Sequence, residues 1–166
     1  ANSISVQEVL SSTSTLAGAG IHSNSTTITV VNSVFYKLFS KTKGGAVYCI
    51  GQQGDESNNI SLSPTFINVA FLGNRANQRG GAISADVQCH FTCKHCLFES
   101  NSVAKKGGAI YLDFESNPII EDTSFISNTA HESGGCIAAD GKSYVLFNGT
   151  NEFIDNSADW EGGCLY

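Results

Sequence analysis

Three aspartates, Asp86, Asp113 and Asp140, recur 27 residues apart, each five residues after the second glycine of a Gly-Gly pair. If these copies stack, neighbouring carboxylates stand about 4.8 Å apart, the spacing of adjacent strands. A column of like charges needs compensation, from calcium, from neighbouring amides or by protonation of one member. Two carboxylates near about 5 Å suit a retaining glycosidase, and a pair at roughly 6.5–9.5 Å an inverting one. A lyase would also want a strong base or an arginine beside its calcium. The only arginines are Arg75 and Arg79, one coil edge away from the column. No long loops flank these positions to build a cleft. The plainer reading is therefore an acidic strand end, solvated at a corner. Catalysis by Asp86, Asp113 and Asp140 stands as the alternative, with calcium at the same residues as the one candidate cofactor.

The six cysteines form the other reactive set. Cys136 and Cys164 each follow a Gly-Gly pair directly, in adjacent repeats. Stacked, their Cα atoms would be about 4.8 Å apart, within the range a disulfide accepts. The competing view is two small residues filling a column with Ala46, Ala82 and Ala109. Cys89, Cys93 and Cys96 lie with His90 and His95 in the run CHFTCKHC. These are zinc-ligand types, but the spacing is not that of a finger and no second ligand pair follows. Strand alternation should also scatter their side chains. A local disulfide is the better reading, with Cys49, one coil earlier, as a possible partner from outside the run. Disulfides imply an oxidising compartment.

What positions these residues is a repeat. Gly-Gly pairs stand at 44–45, 80–81, 107–108, 134–135 and 162–163, with steps of 36, 27, 27 and 28 between first glycines. Nine residues before each pair is a phenylalanine: Phe35, Phe71, Phe98, Phe125 and Phe153. Four of these open an F-x-x-N motif ending at Asn74, Asn101, Asn128 and Asn156. A unit this short cannot bury its own apolar face and must stack on its neighbours. Short apolar runs broken by Gly, Asn and Ser read as strands and turns, and no segment holds a 3.6-residue apolar period. The expected fold is all-β, a single-stranded right-handed parallel β-helix of about six coils, forming one domain over residues 1–166.

The first coil is degenerate, with Val9 in the phenylalanine position and GAGI at 18–21 for GGAI. The long step contains a polar insertion at about 52–61, expected as a surface loop. Along the Gly-Gly strand, Ile83, Ala85, Ile110, Leu112, Ile137 and Ala139 should face inward, and Ser84, Tyr111 and Ala138 outward. The asparagines should stack at a corner, where Asn tolerates left-handed dihedrals and its amide can bond along the stack.

GGAV at 44–47, GGAI at 80–83 and 107–110, and the four F-x-x-N motifs resemble the repeat region of the chlamydial polymorphic outer-membrane proteins. GGCI at 134–137 and GGCL at 162–165 depart by Cys for Ala. The resemblance spans residues 35–166, with a faint extension back to residue 4. Other secreted parallel β-helix proteins, of the pectin-lyase-like kind, carry similar repeats. The resemblance implies a secreted, surface-exposed or adhesive β-helix.

Composition narrows the partners. Nine Lys+Arg against fifteen Asp+Glu give a net charge of −6, and Lys105-Lys106 is an isolated basic pair. Nucleic acid is thereby disfavoured. No apolar run approaches a transmembrane span. Glycosylation acceptors occur at Asn24, Asn59 and Asn148. Trp160 and the outward tyrosines Tyr48, Tyr111 and Tyr166 have the chemistry to stack on glycans, although Ser84 interrupts that row. The first residue is Ala1, as in a mature chain after signal removal. The final GGCLY stops inside a strand and NSISVQEVL is strand-like, so either the molecule continues beyond Tyr166 or its last coil stacks on another copy's first, which would give a filament. The resulting reading is an extracellular structural rod, a filament subunit or part of a surface adhesin. The alternative is a polysaccharide-binding or polysaccharide-cleaving β-helix.

Overall fold

Strand alternation, four tight corners and in-register stacking build the whole fold. The computed structural model is an all-β parallel solenoid of about five turns, roughly 27 residues per turn. It describes residues 17–51 and 63–166 in full, and residues 2–5 and 13–14 as backbone strands. Val9, Asn59 and the 52–61 insertion lie outside the described residues. The coil count is about five where six were expected. The last coil adds a single bridge, Ile137 to Leu165, to the sheet that follows the glycines.

Among the described residues the strands form three parallel sheets of nine, six and five strands. The five-stranded sheet runs through Ile21–Asn24, Val47–Ile50, Ile83–Asp86, Ile110–Leu112 and Ile137–Ala139. Ile21 pairs with Val47, so GAGI is a true copy of the motif. The nine-stranded sheet bends along a corner. Ile28–Tyr36 and Thr65–Leu72 cross that corner as single strands, at Asn32 and Asn68. Later coils break there into pairs such as Thr92–Lys94 and Leu97–Glu99. The break falls on a residue with positive φ: His95 or Asp122, with Gly149 in the last coil.

The interior is a stack of like on like. Phe35, Phe71, Phe98, Phe125 and Phe153 lie face to face, with centroids 5.0, 4.6, 4.9 and 5.2 Å apart and planes within 6°. Phe66 and Phe91 pack edge-on beside them. Such offset aromatic pairs add to the area they bury. Below them, Asn74, Asn101 and Asn128 each tie three coils. Asn101 Nδ2 donates to Phe71 O at 2.9 Å in the coil before and to Asn128 Oδ1 at 2.9 Å in the coil after. Its Oδ1 accepts from the Asn74 backbone N–H at 2.9 Å and from Asn74 Nδ2 at 3.0 Å. The left-handed residue at this corner is not the asparagine but the one before it, Gly73, Ser100, Ser127 or Asp155. That frees the asparagine amide to point inward, fully buried in Asn74, Asn101 and Asn128.

The two glycines of each pair answer different constraints. Gly107 holds φ +74°, in the left-handed region. Gly108 has no room for a side chain, since a Cβ there would collide with the Gly135 carbonyl oxygen of the next coil.

Asn101→Ala would strand the Asn74 N–H and the Phe71 carbonyl in the core. At about 1–3 kcal/mol for each orphaned group, a loss of about 3–5 kcal/mol is expected in denaturant unfolding. Asn156→Ala, at the partly open last coil, should cost clearly less. Equal effects at the two positions would contradict the buried ladder.

Candidate functional site: a staggered ion-pair and tyrosine ladder

In the five-stranded sheet, inward residues alternate with a second column that faces away from the core. At its first outward position stand Tyr48, Ser84, Tyr111, Ala138 and Tyr166, large and small in turn. At the next stand Asp86, Asp113 and Asp140. These positions were expected to be exposed, yet Ser84, Tyr111 and Ala138 are fully buried and Asp86 and Asp113 nearly so. The cover comes from the preceding corner. Lys43, Arg79 and Lys106 each immediately precede a Gly-Gly pair and stack coil on coil through the bridges Lys43 to Arg79 and Arg79 to Lys106.

Each cation reaches the aspartate one coil further on. Lys43 Nζ lies 2.6 Å from Asp86 Oδ2, Arg79 Nη1 2.9 Å from Asp113 Oδ2, and Lys106 Nζ 3.1 Å from Asp140 Oδ2. Arg79, read from sequence as one coil edge away, is therefore a direct partner. The same cations lie over the tyrosine rings, Lys43 5.7 Å from Tyr48, Arg79 4.7 Å from Tyr111 and Lys106 4.6 Å from Tyr166. The phenols complete the ladder. Tyr48 OH donates to Asp86 Oδ2 at 2.8 Å, and Tyr111 OH reaches Asp140 Oδ2 at 2.9 Å and Asp113 Oδ2 at 3.2 Å. Charge compensation of the aspartates thus comes from ion pairs and phenols. Ser84 Oγ and Asp86 Oδ1 are buried side-chain atoms without a hydrogen-bond partner.

Burial, then the bonds to the aspartates, raise the pKa of Tyr48 and Tyr111 well above the ordinary phenol value. Burial works against the charge on Lys106, but Asp140 and Tyr166 outweigh it and its pKa rises. Beside the ladder, a polar groove of about 360 Å³ is lined by Lys43, Arg79, Lys105, Lys106, Glu132 and Asp140, among others. A second, more apolar cavity of about 520 Å³ lies at the following corner, around Val87, Phe114 and Lys142.

The cysteines all turn toward the core. Cys49 and Cys89 form a disulfide with Cα atoms 6.1 Å apart. Cys93, Cys96, Cys136 and Cys164 are thiols, the first three buried and Cys164 partly exposed. The scattering expected for Cys89, Cys93 and Cys96 does not occur. Cys89 precedes the strand, and the left-handed turn at His95 returns Cys96 to the interior. The histidines do not join them. His90 Nδ1 accepts from the Asn117 N–H at 3.0 Å, while His95 is exposed and lies 3.8 Å from Asp122. Among the described residues no group of three or more His, Cys, Asp or Glu is arranged to hold a metal ion. Asn24 and Asn148 are exposed; Trp160 is 71% exposed.

The cation column was missed in the sequence, although its signal was there: Lys43, Arg79 and Lys106 share one phase of the repeat. Ser133 and Glu161 end it in the last two units.

Residues 68–86 and 95–113 match the Chlamydia polymorphic membrane protein repeat. The two matches occupy equivalent parts of successive coils and end at Asp86 and Asp113. No curated protein and no solved structure gives a match.

Raised phenol pKa values carry a sign. The contribution of neutral Tyr48 and Tyr111 is complete below the unfolded phenol pKa of about 10 and is lost as pH rises above it. Phenolate absorbance on alkaline titration should show both phenols ionising only together with unfolding. In Tyr111→Phe that late step should shrink. Reversible ionisation of both near the ordinary phenol range, in the folded chain, would contradict the buried ladder.

Proposed function

We propose that this chain acts at the cell surface as a rigid β-solenoid rod, structural or adhesive. The observation that carries the reading is the unbroken stack of phenylalanine, asparagine and main-chain ladders through successive coils. A rod built this way bends only by breaking many in-register contacts at once. The match to a polymorphic membrane protein repeat supports a surface or outer-membrane location. No helix among the described residues is long and apolar enough to cross a membrane, a statement that does not bear on β-barrels.

Self-association end to end is the second part of the proposal. The last coil exposes Leu146, Phe147, Phe153, Ile154 and Leu165 by 38–49%. This apolar edge favours head-to-tail contact between copies, a heterologous contact that does not close. Glycans at Asn24 and Asn148 would project from the rod's sides.

Cleavage of a polysaccharide by Asp86, Asp113 and Asp140 has less support, because each carboxylate is held by a cation. In its place the polar groove offers at most a binding surface for glycans.

Electron microscopy of the purified chain tests the stacking. Regular fibres many coils long are the expected result. Leu165→Glu, which puts a charge on the exposed edge of the last coil, should prevent them. Discrete short particles at every ionic strength would remove the filament and leave the rod as a surface or adhesive element. Glycan binding by those particles, lost on changing groove residues, would favour the alternative.

A further inference from the structure

The core cysteines fall into three neighbouring pairs, of which one is bonded. Cys49 and Cys89 are joined. Cys136 and Cys164 occupy the same repeat position in adjacent coils, and the Cys136 N–H donates to the Cys164 carbonyl at 2.9 Å. Cys164 packs against the core cluster that holds Cys136. Cys93 and Cys96 flank the left-handed turn at His95 and both lie in that core. With these pairs assigned, no cysteine of the chain's six is left over. Such an arrangement is not forced by the repeat, which places Ala46, Ala82 and Ala109 at the Cys136 position.

We infer that Cys93–Cys96 and Cys136–Cys164 are two further redox pairs, and that Cys136–Cys164 is a clasp holding the last coil to the rod. The bond would tie the coil of Cys164, where Phe153, Ile154 and Leu165 are exposed, to the coil before it.

The chemistry requires a disulfide-class oxidant, of which oxidised glutathione is the simplest. Cys164 is the partly exposed member, and its pKa is lowered by the hydrogen bond from Cys136. Its thiolate attacks one sulfur of oxidised glutathione and expels one glutathione thiolate, which takes up a proton. Cys136, whose own pKa is raised by burial, loses its proton and attacks the mixed disulfide. That forms the Cys136–Cys164 bond and releases the second glutathione. Two protein thiols lose two electrons and two protons, and one glutathione disulfide becomes two thiols. At the other pair Cys96 carries the lowered pKa, through its hydrogen bond with Cys93, and Cys93 the raised one, through burial. Both are buried, so their bond closes before the coil seats on its neighbours.

The test is a thiol count. Protein folded with oxidised glutathione is unfolded in guanidinium and treated with iodoacetamide without reduction. The expected result is no adduct, against four if Cys93, Cys96, Cys136 and Cys164 remain thiols. Trypsin cleaves after Arg75, Arg79, Lys94, Lys105 and Lys142, and chymotrypsin after Phe91 parts Cys89 from Cys93, so the two together put each cysteine on its own peptide. Three linked peptide pairs should then appear. Four adducts, or links between members of different pairs, would overturn the assignment. The clasp is read separately by hydrogen exchange. Amides of Glu152–Ile154 and Ser157–Ala158 should exchange about tenfold faster in oxidised Cys164→Ser, and in reduced wild type, than in oxidised wild type. Equal exchange in oxidised and reduced wild type would refute the clasp.

Discussion

Each coil of this chain completes its main-chain hydrogen bonding on the coils beside it, and nearly every other feature follows from that constraint. Parallel pairing in register brings residue 98 against 71 and 125, and residue 110 against 83 and 137. Equivalent positions must then tolerate themselves at strand spacing. Phenylalanine does so by offset stacking. Asparagine does so better still, because one amide carries both donor and acceptor and can serve the coils on either side. The close approach at the second glycine of each pair follows from the same geometry, since the next coil's carbonyl lies where a side chain would begin.

Charge is the one thing that stacks badly. Three aspartates in a column would repel, and the chain meets this with a column of cations offset by one coil. Each cation therefore faces an aspartate while it stacks on its own kind. Tyrosines alternating with serine and alanine supply the remaining contacts, with each ring lying over a small neighbour. The ladder thus closes a polar seam along the outside of the five-stranded sheet. The carboxylates that resemble a catalytic set in sequence are partners in this seam. Its loss of pattern at Ser133 and Glu161 coincides with the coils that become exposed and acidic.

Covalent ties are distributed by the same logic. The Cys49–Cys89 bridge spans the long step that contains residues 52–61. The Cys136 and Cys164 neighbours occupy one repeat position of adjacent coils, joined through the main chain.

Read alone, the sequence determined the architecture, because a period of 27 residues with one phenylalanine, one asparagine and a Gly-Gly pair admits few folds. It also identified the inward positions, the stacked amides and the candidate residues, since all of these depend on phase within a repeat. What it left undecided were interactions between different phases. Arg79 and Asp113 are 34 residues apart, more than one period, so their contact depends on how far a side chain reaches along the stack. The burial of Ser84 and Tyr111 likewise came from a lid supplied by another corner. The Cys49–Cys89 bond joins different repeat positions across coils. Only the tertiary structure settled such diagonal contacts, because periodicity specifies which residues stack but not which side chains lean across to meet.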